Sequence, residues 1–431
     1  MENCEVIKNC LCCNKNVNLL MDLGHQPLAN NFHDKNIKCE TYPLRLMVCK
    51  NCYHCQLSHS VNPSILFKNY KYVSGTTKTG LIFFRQNAKY IINRKNILSG
   101  KGKVLDIACN DGSQLDFFKE FGWETYGVDP AENICPIAAS KGHHIVCDFW
   151  NENVALQLPV MDVIVAQNVF AHTQHVNDFL KNCKHVMNEN TSLFIQTSQK
   201  NMIINGEFDT TYHEHISFFN TRSMNELTCR NGLMLNRVSE CDIHGGSYIF
   251  EIKLGKDDEI YNVEACIQEE ETAGLYSDAI YEQFNMNAIK CVQNLKAKIL
   301  EYERNGYKCI GFGAAAKGQT VLCYGDISLD YIIDENLLKI GQFSPKMNIP
   351  VVNLEYFKND KIHNKYLVVI LAWNFATEIK QKIEKIKGNK NIHFIDKYFP
   401  DIHIEKIKGN KNIHFIDKYF PEITELQLSN N

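Results

Sequence analysis

Thr211-Tyr212-His213-Glu214-His215 places a phenol, two imidazoles and a carboxylate in four consecutive positions, just ahead of the apolar stretch Ile216-Ser217-Phe218-Phe219. Such a run suits two chemistries. Histidines at i and i+2 of an extended segment point the same way and could hold a metal, or the group could donate and accept protons. A second dense set lies in the first 55 residues, which carry eight of the 18 cysteines. Cys10-x-x-Cys13 and Cys49-x-x-Cys52 form two knuckles 35 residues apart. Each knuckle offers two sulfurs to one ion, and four thiolates close a structural Zn²⁺ site with no open position. Cys12, His54 and Cys55 stand close enough to substitute. Clustering of this kind in a reducing compartment indicates metal ligation rather than disulfides.

The elements that must position these groups follow from periodicity. From Lys103 short apolar strands alternate with helices: a strand Val104 to Ala108, a helix from Ser113, a strand closing on Gly127-Val128-Asp129-Pro130, a helix to Gly142, a strand Ile145 to Cys147, and a strand Asp162 to Ala166. Regular alternation implies a parallel sheet with helices on both faces, and ligands of such sheets sit at the carboxyl ends of the strands. The first strand ends in Asp106-x-Ala108-Cys109-Asn110-Asp111-Gly112 rather than in the glycine pattern that cradles a pyrophosphate. Asp129 ends the second strand, where it can accept from both ribose hydroxyls, and Asp148 follows the third, where it can hold an adenine amino group. Acids in register on successive strand ends, together with Pro130 and Asn168, point to an S-adenosylmethionine site. His172 in Gln167-Asn168-Val169-Phe170-Ala171-His172 follows the fourth strand on the ligand side and is a candidate catalytic or substrate contact.

Beyond residue 255 the pattern turns helical to about residue 305, and Gln268-Glu269-Glu270-Glu271 reads as a solvated face. A strand–turn–helix unit then restarts at Lys308 with Gly311-Phe312-Gly313-Ala314-Ala315-Ala316-Lys317-Gly318. Its helix N-terminus can bind phosphate, with Ala315 in the turn, Lys317 as counter-charge and Asp334 for a ribose; NAD would also suit it. Tyr72, Ser74 and Thr76, in a hydroxyl-rich loop around Gly75, form a candidate cleft wall. Ile383 to Pro400 recurs letter for letter as Ile404 to Pro421. Two copies are too few for a solenoid, so one is expected to complete the last sheet and the other to be an appended tail.

A formal charge of −3 over 431 residues gives no nucleic-acid footprint. No apolar run is long enough to span a bilayer and no leader is evident, so a cytoplasmic enzyme is expected, with no nucleic-acid or membrane partner. Three segments are expected: residues 1–75 binding zinc, 76–255 holding the methyl donor, and 256–431 forming a second Rossmann-like α/β body with the duplicated tail.

The motifs and their order resemble the adenosylmethionine-dependent sugar C-methyltransferases that act on nucleotide-linked keto-sugars in deoxysugar and branched-sugar biosynthesis. The likeness includes Leu23 to Asn30, Tyr72-x-Ser74-Gly75-Thr76, Asn110-Asp111-Gly112, Asn168 to His172, Phe208-Asp209-x-x-Tyr212-His213-Glu214-His215, His244-Gly245-Gly246-Ser247 and Leu371-Ala372-Trp373-Asn374. It implies an α/β protein of three parts: a small zinc domain, a Rossmann-like methyltransferase domain, and a C-terminal Rossmann-like domain that helps hold the substrate's nucleotide. It implies Zn²⁺ on Cys10, Cys13, Cys49 and Cys52, and Tyr212, Glu214, His215 and His172 in the catalytic cleft. It brings His244 among the substrate contacts. Ala108-Cys109 stands where the family usually has Gly-Ser, and Gln319 where Asn is common. The mechanism expected is removal of a proton beside a 4-keto group by His215, with Glu214 orienting an imidazole and Tyr212 or His172 donating to the enolate oxygen. A monomer or weak dimer is expected. A zinc-ribbon RNA or protein methyltransferase and an NAD-dependent sugar-nucleotide oxidoreductase are the rival functions, and a non-catalytic zinc scaffold would require the histidine run to be inert.

Overall fold

The computed structural model describes residues 3–34, 38–68, 70, 73–76, 78–95, 102–198, 202–241, 246–255, 261–388, 391–396, 398–399 and 417–418. Tyr72 and His244 lie outside them, as does the side chain of Thr76.

The apolar strands Lys103–Ile107, Glu124–Val128, His144–Val146, Val163–Gln167 and Ser192–Ser198 pair in parallel, as their uninterrupted hydrophobicity requires of strands covered on both faces. Ser247–Leu254 adds antiparallel to Ser192–Ser198, and Leu233–Cys241 pairs antiparallel to it in turn. Lys103–Ile107 is central, so its end opens at the crossover where a ligand crevice forms. Ala108, Asn110 and Asn168 leave the strand ends at φ of 63°, 49° and 51°. Asparagine tolerates this left-handed region; an alanine there costs about 1–2 kcal/mol. Ala108 thus carries local strain where glycine would carry none.

The zinc-binding segment builds a four-stranded sheet in the order Ser217–Phe218, Cys55–Leu57, Thr41–Cys49, Val17–Pro27. Its first strand comes from far along the chain, directly after the histidine-rich run. The third body is a five-stranded parallel sheet ordered Val351–Val352, Ile332–Ile333, Lys308–Phe312, Tyr366–Ile370, Ile392–Ile395. A continuous core joins it to the zinc segment: Met21, Leu44 and Leu57 share a buried cluster with Phe208, Phe284, Val321 and Leu371. The helical link is two helices, Val263–Thr272 and Asp278–Arg304. No helix among the described residues is long and apolar enough to cross a membrane.

The acidic run in that link corrects an expectation. Glu270 is 2% exposed and accepts the Thr221 amide and hydroxyl and the phenols of Tyr248 and Tyr276. Helix Thr221–Arg230 begins with an orphan amide that needs an acceptor, and a buried carboxylate needs donors, so each satisfies the other.

The first repeat copy supplies the edge strand Ile392–Ile395 of the C-terminal sheet. In the second copy, Asp417–Lys418 pairs in parallel with Ser239 and Glu240 at the edge of the eight-stranded sheet, so this copy does more than trail from the fold. Removing residues 401–421 leaves a chain with one intact copy whichever copy is regarded as lost. Two backbone pairings are worth about 2 kcal/mol net, or about 3 °C in melting temperature for a chain of this size. Thermal melting of the shortened protein should show a fall of that order with methyl-donor binding kept; a fall above about 10 °C would mean the second copy is part of the core.

Candidate functional site

The Sγ atoms of Cys10, Cys13, Cys49 and Cys52 lie within 4.8 Å of one another and all four residues are buried. Three of the separations are 3.4–3.6 Å. A Zn–S bond of about 2.3 Å gives tetrahedral edges of about 3.8 Å, so the donor set fits zinc. Cys12 and Cys55 are also buried but do not belong to this group of four, Cys12 lying beside Cys10, and His54 packs against Phe219. The four sulfurs could hold one zinc ion and close a structural site around it.

One cleft of about 1990 Å³ runs between the methyltransferase sheet, the zinc segment and the C-terminal body. At the end where the parallel strands of the eight-stranded sheet open, Asp106, Ala108, Asn110, Asp129, Pro130, Asp148 and Asn168 line the wall. Asp129 accepts the Asn110 and Ala131 amides, each at 2.8 Å, through different oxygens, which leaves a lone pair on each for a diol. Burial pushes its carboxyl up, while those two amides pull it back. Burial, reinforced by Asp129 and Asp111, pushes Asp106 well above the usual carboxylate range. Asp148 is exposed at the rim and caps the Phe149 amide at 2.7 Å. Asp111 and Gly112 stand behind the wall rather than in it. Asp111 is drawn back by the Ser113 hydroxyl at 2.8 Å and the Gly75 amide at 3.2 Å, and the Asn110 side chain accepts the Ser74 amide at 2.9 Å. Ser74, which lines the cleft, is therefore docked on the turn that follows Lys103–Ile107.

The histidine-rich run closes the middle of the cleft. His215 is 6% exposed; its Nδ1 donates to the Thr210 carbonyl at 2.8 Å, because a carbonyl can only accept. Nε2 is thereby left to accept, and the Tyr212 hydroxyl donates to it at 2.8 Å. Burial, with Glu214 and Asp209 nearby, holds the Tyr212 phenol well above its ordinary range, so it keeps its proton until something takes it. His172 stacks on His215 with ring centroids 5.2 Å apart, and Phe67 covers its other face at 5.8 Å. Burial pushes His172 down to about 4, so this neighbour is neutral near pH 7. Glu214 accepts Asn30 Nδ2 at 2.7 Å and the Tyr70 hydroxyl at 3.4 Å; burial raises its carboxyl, and Asn30, Lys339 and Tyr70 offset part of that. The ring of His215 is thus held by Thr210 and Tyr212, in place of the orienting role expected of Glu214. His213 turns away into the zinc segment, its Nε2 3.3 Å from the Tyr42 carbonyl, so the two histidines do not form a ligand pair.

The far wall comes from the C-terminal body. Ala315, Ala316, Lys317, Trp373 and Phe375 line it, and Lys317 Nζ lies 4.4 Å from the Trp373 ring centre. Gly313 has φ of +90°, and a side chain there would collide with Ala372, which is why this turn needs glycine. Asp334 does not reach the cleft: its oxygens accept the Ala314 amide at 2.5 Å and the Asn336 amide at 2.7 Å. It braces the turn. Sequence patterns missed Lys339, whose Nζ donates to the Ala314 carbonyl at 2.7 Å and to Asn30 Oδ1 at 3.3 Å, joining the C-terminal turn to Glu214 through Asn30. No motif flags it, since its partners are 25 and 309 residues away.

His213 gives the site a pH signature. Burial pushes its imidazole down to about 4 from an ordinary 6.5. Between those values the unfolded chain binds the proton and the folded one does not, so stability falls as pH drops through that window. His213→Gln, which keeps an N–H for the Tyr42 carbonyl, should lose melting temperature less steeply than the parent between pH 6.5 and 4.5; parallel curves would contradict the assignment.

Three family models match the chain in sequence order: "Putative zinc binding domain" over residues 10–67, "Methyltransferase domain" over 83–237 and "C-methyltransferase C-terminal domain" over 242–396. The last begins before residue 256 and takes in Ser247–Leu254, which pairs into the methyltransferase sheet. C-methyltransferase NovU of Streptomyces niveus is 26% identical over 377 residues, covering 84% of this chain and 88% of that protein. The ubiquinone biosynthesis O-methyltransferase of Glaesserella parasuis is 29% identical over 118 residues, 25% of this chain and half of that protein. Among solved structures, magnesium protoporphyrin IX methyltransferase of Synechocystis with bound SAM aligns over 40% of this chain and 81% of its own, at 14% identity and a TM-score of 0.31. The ordered zinc, methyltransferase and C-terminal matches, carried on a chain similar to NovU over most of its length, identify an S-adenosylmethionine-dependent C-methyltransferase.

Proposed function

We propose that the enzyme methylates carbon next to the ketone of a nucleotide-linked 4-keto-sugar, with the Tyr212–His215 pair removing the α-proton. The observation that carries this is the hydrogen bond from the Tyr212 hydroxyl to His215 Nε2, in a cleft wall shared by the cofactor end and the C-terminal body. The cleft is about twice the upper volume usual for one drug-sized ligand, about 1,000 Å³, which supports two large ligands meeting there. Bound S-adenosylmethionine supplies an electrophilic methyl group on sulfonium.

A carbon beside a ketone becomes nucleophilic only when its proton is removed. The single lone pair of His215 Nε2 already faces the Tyr212 proton, so the pair works as a relay: the phenol oxygen receives the α-proton as its own passes to Nε2. The Thr210 carbonyl, at Nδ1, steadies the imidazolium so formed. This replaces the simpler expectation of His215 alone as base with Tyr212 as a separate donor. His172, kept neutral, is then the donor toward the enolate oxygen, a contact worth about 3 kcal/mol. Glu214, fixed by Asn30 and Tyr70, accepts from a sugar hydroxyl; Lys317, Ala315 and Trp373 receive the nucleotide.

The pair can be tested without the methyl donor. In deuterium oxide, with dTDP-, GDP- and CDP-linked 4-keto-6-deoxyhexoses, the parent enzyme should exchange the α-proton of at least one. His215→Ala and Tyr212→Phe should slow that exchange by about 100-fold or more, with S-adenosylmethionine binding kept. Exchange at parental rates in both variants would remove the pair from the mechanism.

A further inference from the structure

Asp209 precedes the acid–base run by two residues and lines no part of the cleft, yet it is fully buried. Its Oδ2 receives the indole N–H of Trp373 at 2.8 Å and the hydroxyl of Tyr398 at 3.1 Å, both from the C-terminal body. That body grips the segment further: Phe399 packs edge-on against Phe208, with centroids 6.0 Å apart, and against Trp373 at 5.8 Å. The Cys291 thiol anchors the Tyr398 carbonyl at 2.9 Å. The next residue along is Thr210, whose carbonyl accepts the Nδ1 proton of His215. Thr210 is fixed in its turn by its hydroxyl, 3.1 Å from the Glu207 carbonyl, and by its amide at 3.2 Å from the same oxygen. An anchor on one residue therefore sets the direction of the carbonyl on the next.

We propose that Asp209 is a positioning residue through which the C-terminal body, by way of Trp373 and Tyr398, holds the Thr210 carbonyl against His215 and so aligns the Tyr212–His215 pair. Burying a carboxylate is costly, and the two donors on Oδ2 offset part of that cost. Burial raises its carboxyl, and Lys317, Trp373, Tyr398 and the Thr210 amide pull it back. The contact makes proton transfer depend on a body that contributes none of the transferring groups. Misplacing a reacting pair by about 1 Å costs on the order of 100-fold, so loss of the anchor should appear in turnover rather than in cofactor affinity.

This inference rests on the proton-transfer reading, and the variants separate the two. Asp209→Ala should lower kcat and α-proton exchange by about tenfold or more, with KM for S-adenosylmethionine within about twofold of the parent. Asp209→Asn, whose amide oxygen still accepts from Trp373 and Tyr398, should recover exchange to within about threefold. Tyr398→Phe is made together with Tyr419→Phe, since the identical second copy could otherwise replace the first. It should slow exchange severalfold, and combined with Asp209→Ala it should add nothing. Melting temperature and zinc content confirm folding in each case. If His215→Ala exchanges normally, the proton-transfer reading falls. If His215→Ala is inactive while folded Asp209→Ala exchanges at the parental rate, or loses only substrate affinity, or if Asp209→Asn is as impaired as Asp209→Ala, the positioning role falls.

Discussion

The amide of Ile216 donates to the Ala171 carbonyl at 2.8 Å while its own carbonyl accepts the Leu57 amide, also at 2.8 Å. These two bonds fix one residue between the fourth strand end of the methyltransferase sheet and the strand Cys55–Leu57 of the zinc segment. Everything in the cleft centre depends on that pin. It sets His215 beside His172, which leaves the same strand end, and it delivers Ser217–Phe218 to the edge of the zinc sheet. The zinc site then has a mechanical meaning. Cys49 and Cys52 bracket the turn into Cys55–Leu57, so an ion held there would fix the strand on which the histidine-rich segment hangs.

Burial makes this segment electrostatically demanding. Asp106, Asp129, Asp209 and Glu214 all have their carboxyls raised by desolvation, which is the cost of taking them out of water. Three of the four are answered by donors fixed in the backbone or by side chains of another body: the Asn110 and Ala131 amides for Asp129, Trp373 and Tyr398 for Asp209, Asn30 and Tyr70 for Glu214. The neutral His172 fits the same constraint. Two imidazolium ions with ring centroids 5.2 Å apart would repel, and burial keeps the His172 ring neutral. Donors and acceptors fixed before the substrate arrives are what a proton-transfer site requires, since little reorganisation remains for the reaction itself.

Much of this was legible in the chain. The strands and their acidic ends follow from local periodicity, so Asp106, Asp129 and Asn168 stand where the β–α alternation puts them, and the paired knuckles foretell a four-sulfur cluster. What the chain hides is which way a polar side chain turns once its strand is placed. Asp111 and Asp334 occupy ligand-binding motif positions but face backbone amides, because a tight turn leaves orphan N–H groups close at hand. Glu270 sits in an acidic run indistinguishable from a solvated face, and only the approach of helix Thr221–Arg230 makes it a cap. Lys339 and Asp209 gain their roles from partners in other bodies, at separations no local pattern spans. The tail repeat was plain as letters, yet its two copies meet different sheets, which identical sequences cannot foretell.

The central claim is that the acceptor of the methyl group is a carbon made nucleophilic beside a ketone. It is tested most directly by supplying S-adenosylmethionine labelled with ¹³C in its methyl group together with the three nucleotide-linked 4-keto-6-deoxyhexoses and recording the product by NMR. A methyl signal coupled through one bond to the ring carbon next to the ketone, with that carbon's original proton lost to solvent, is the expected result. A methyl signal on oxygen or nitrogen, or no transfer to any of the three, would contradict it.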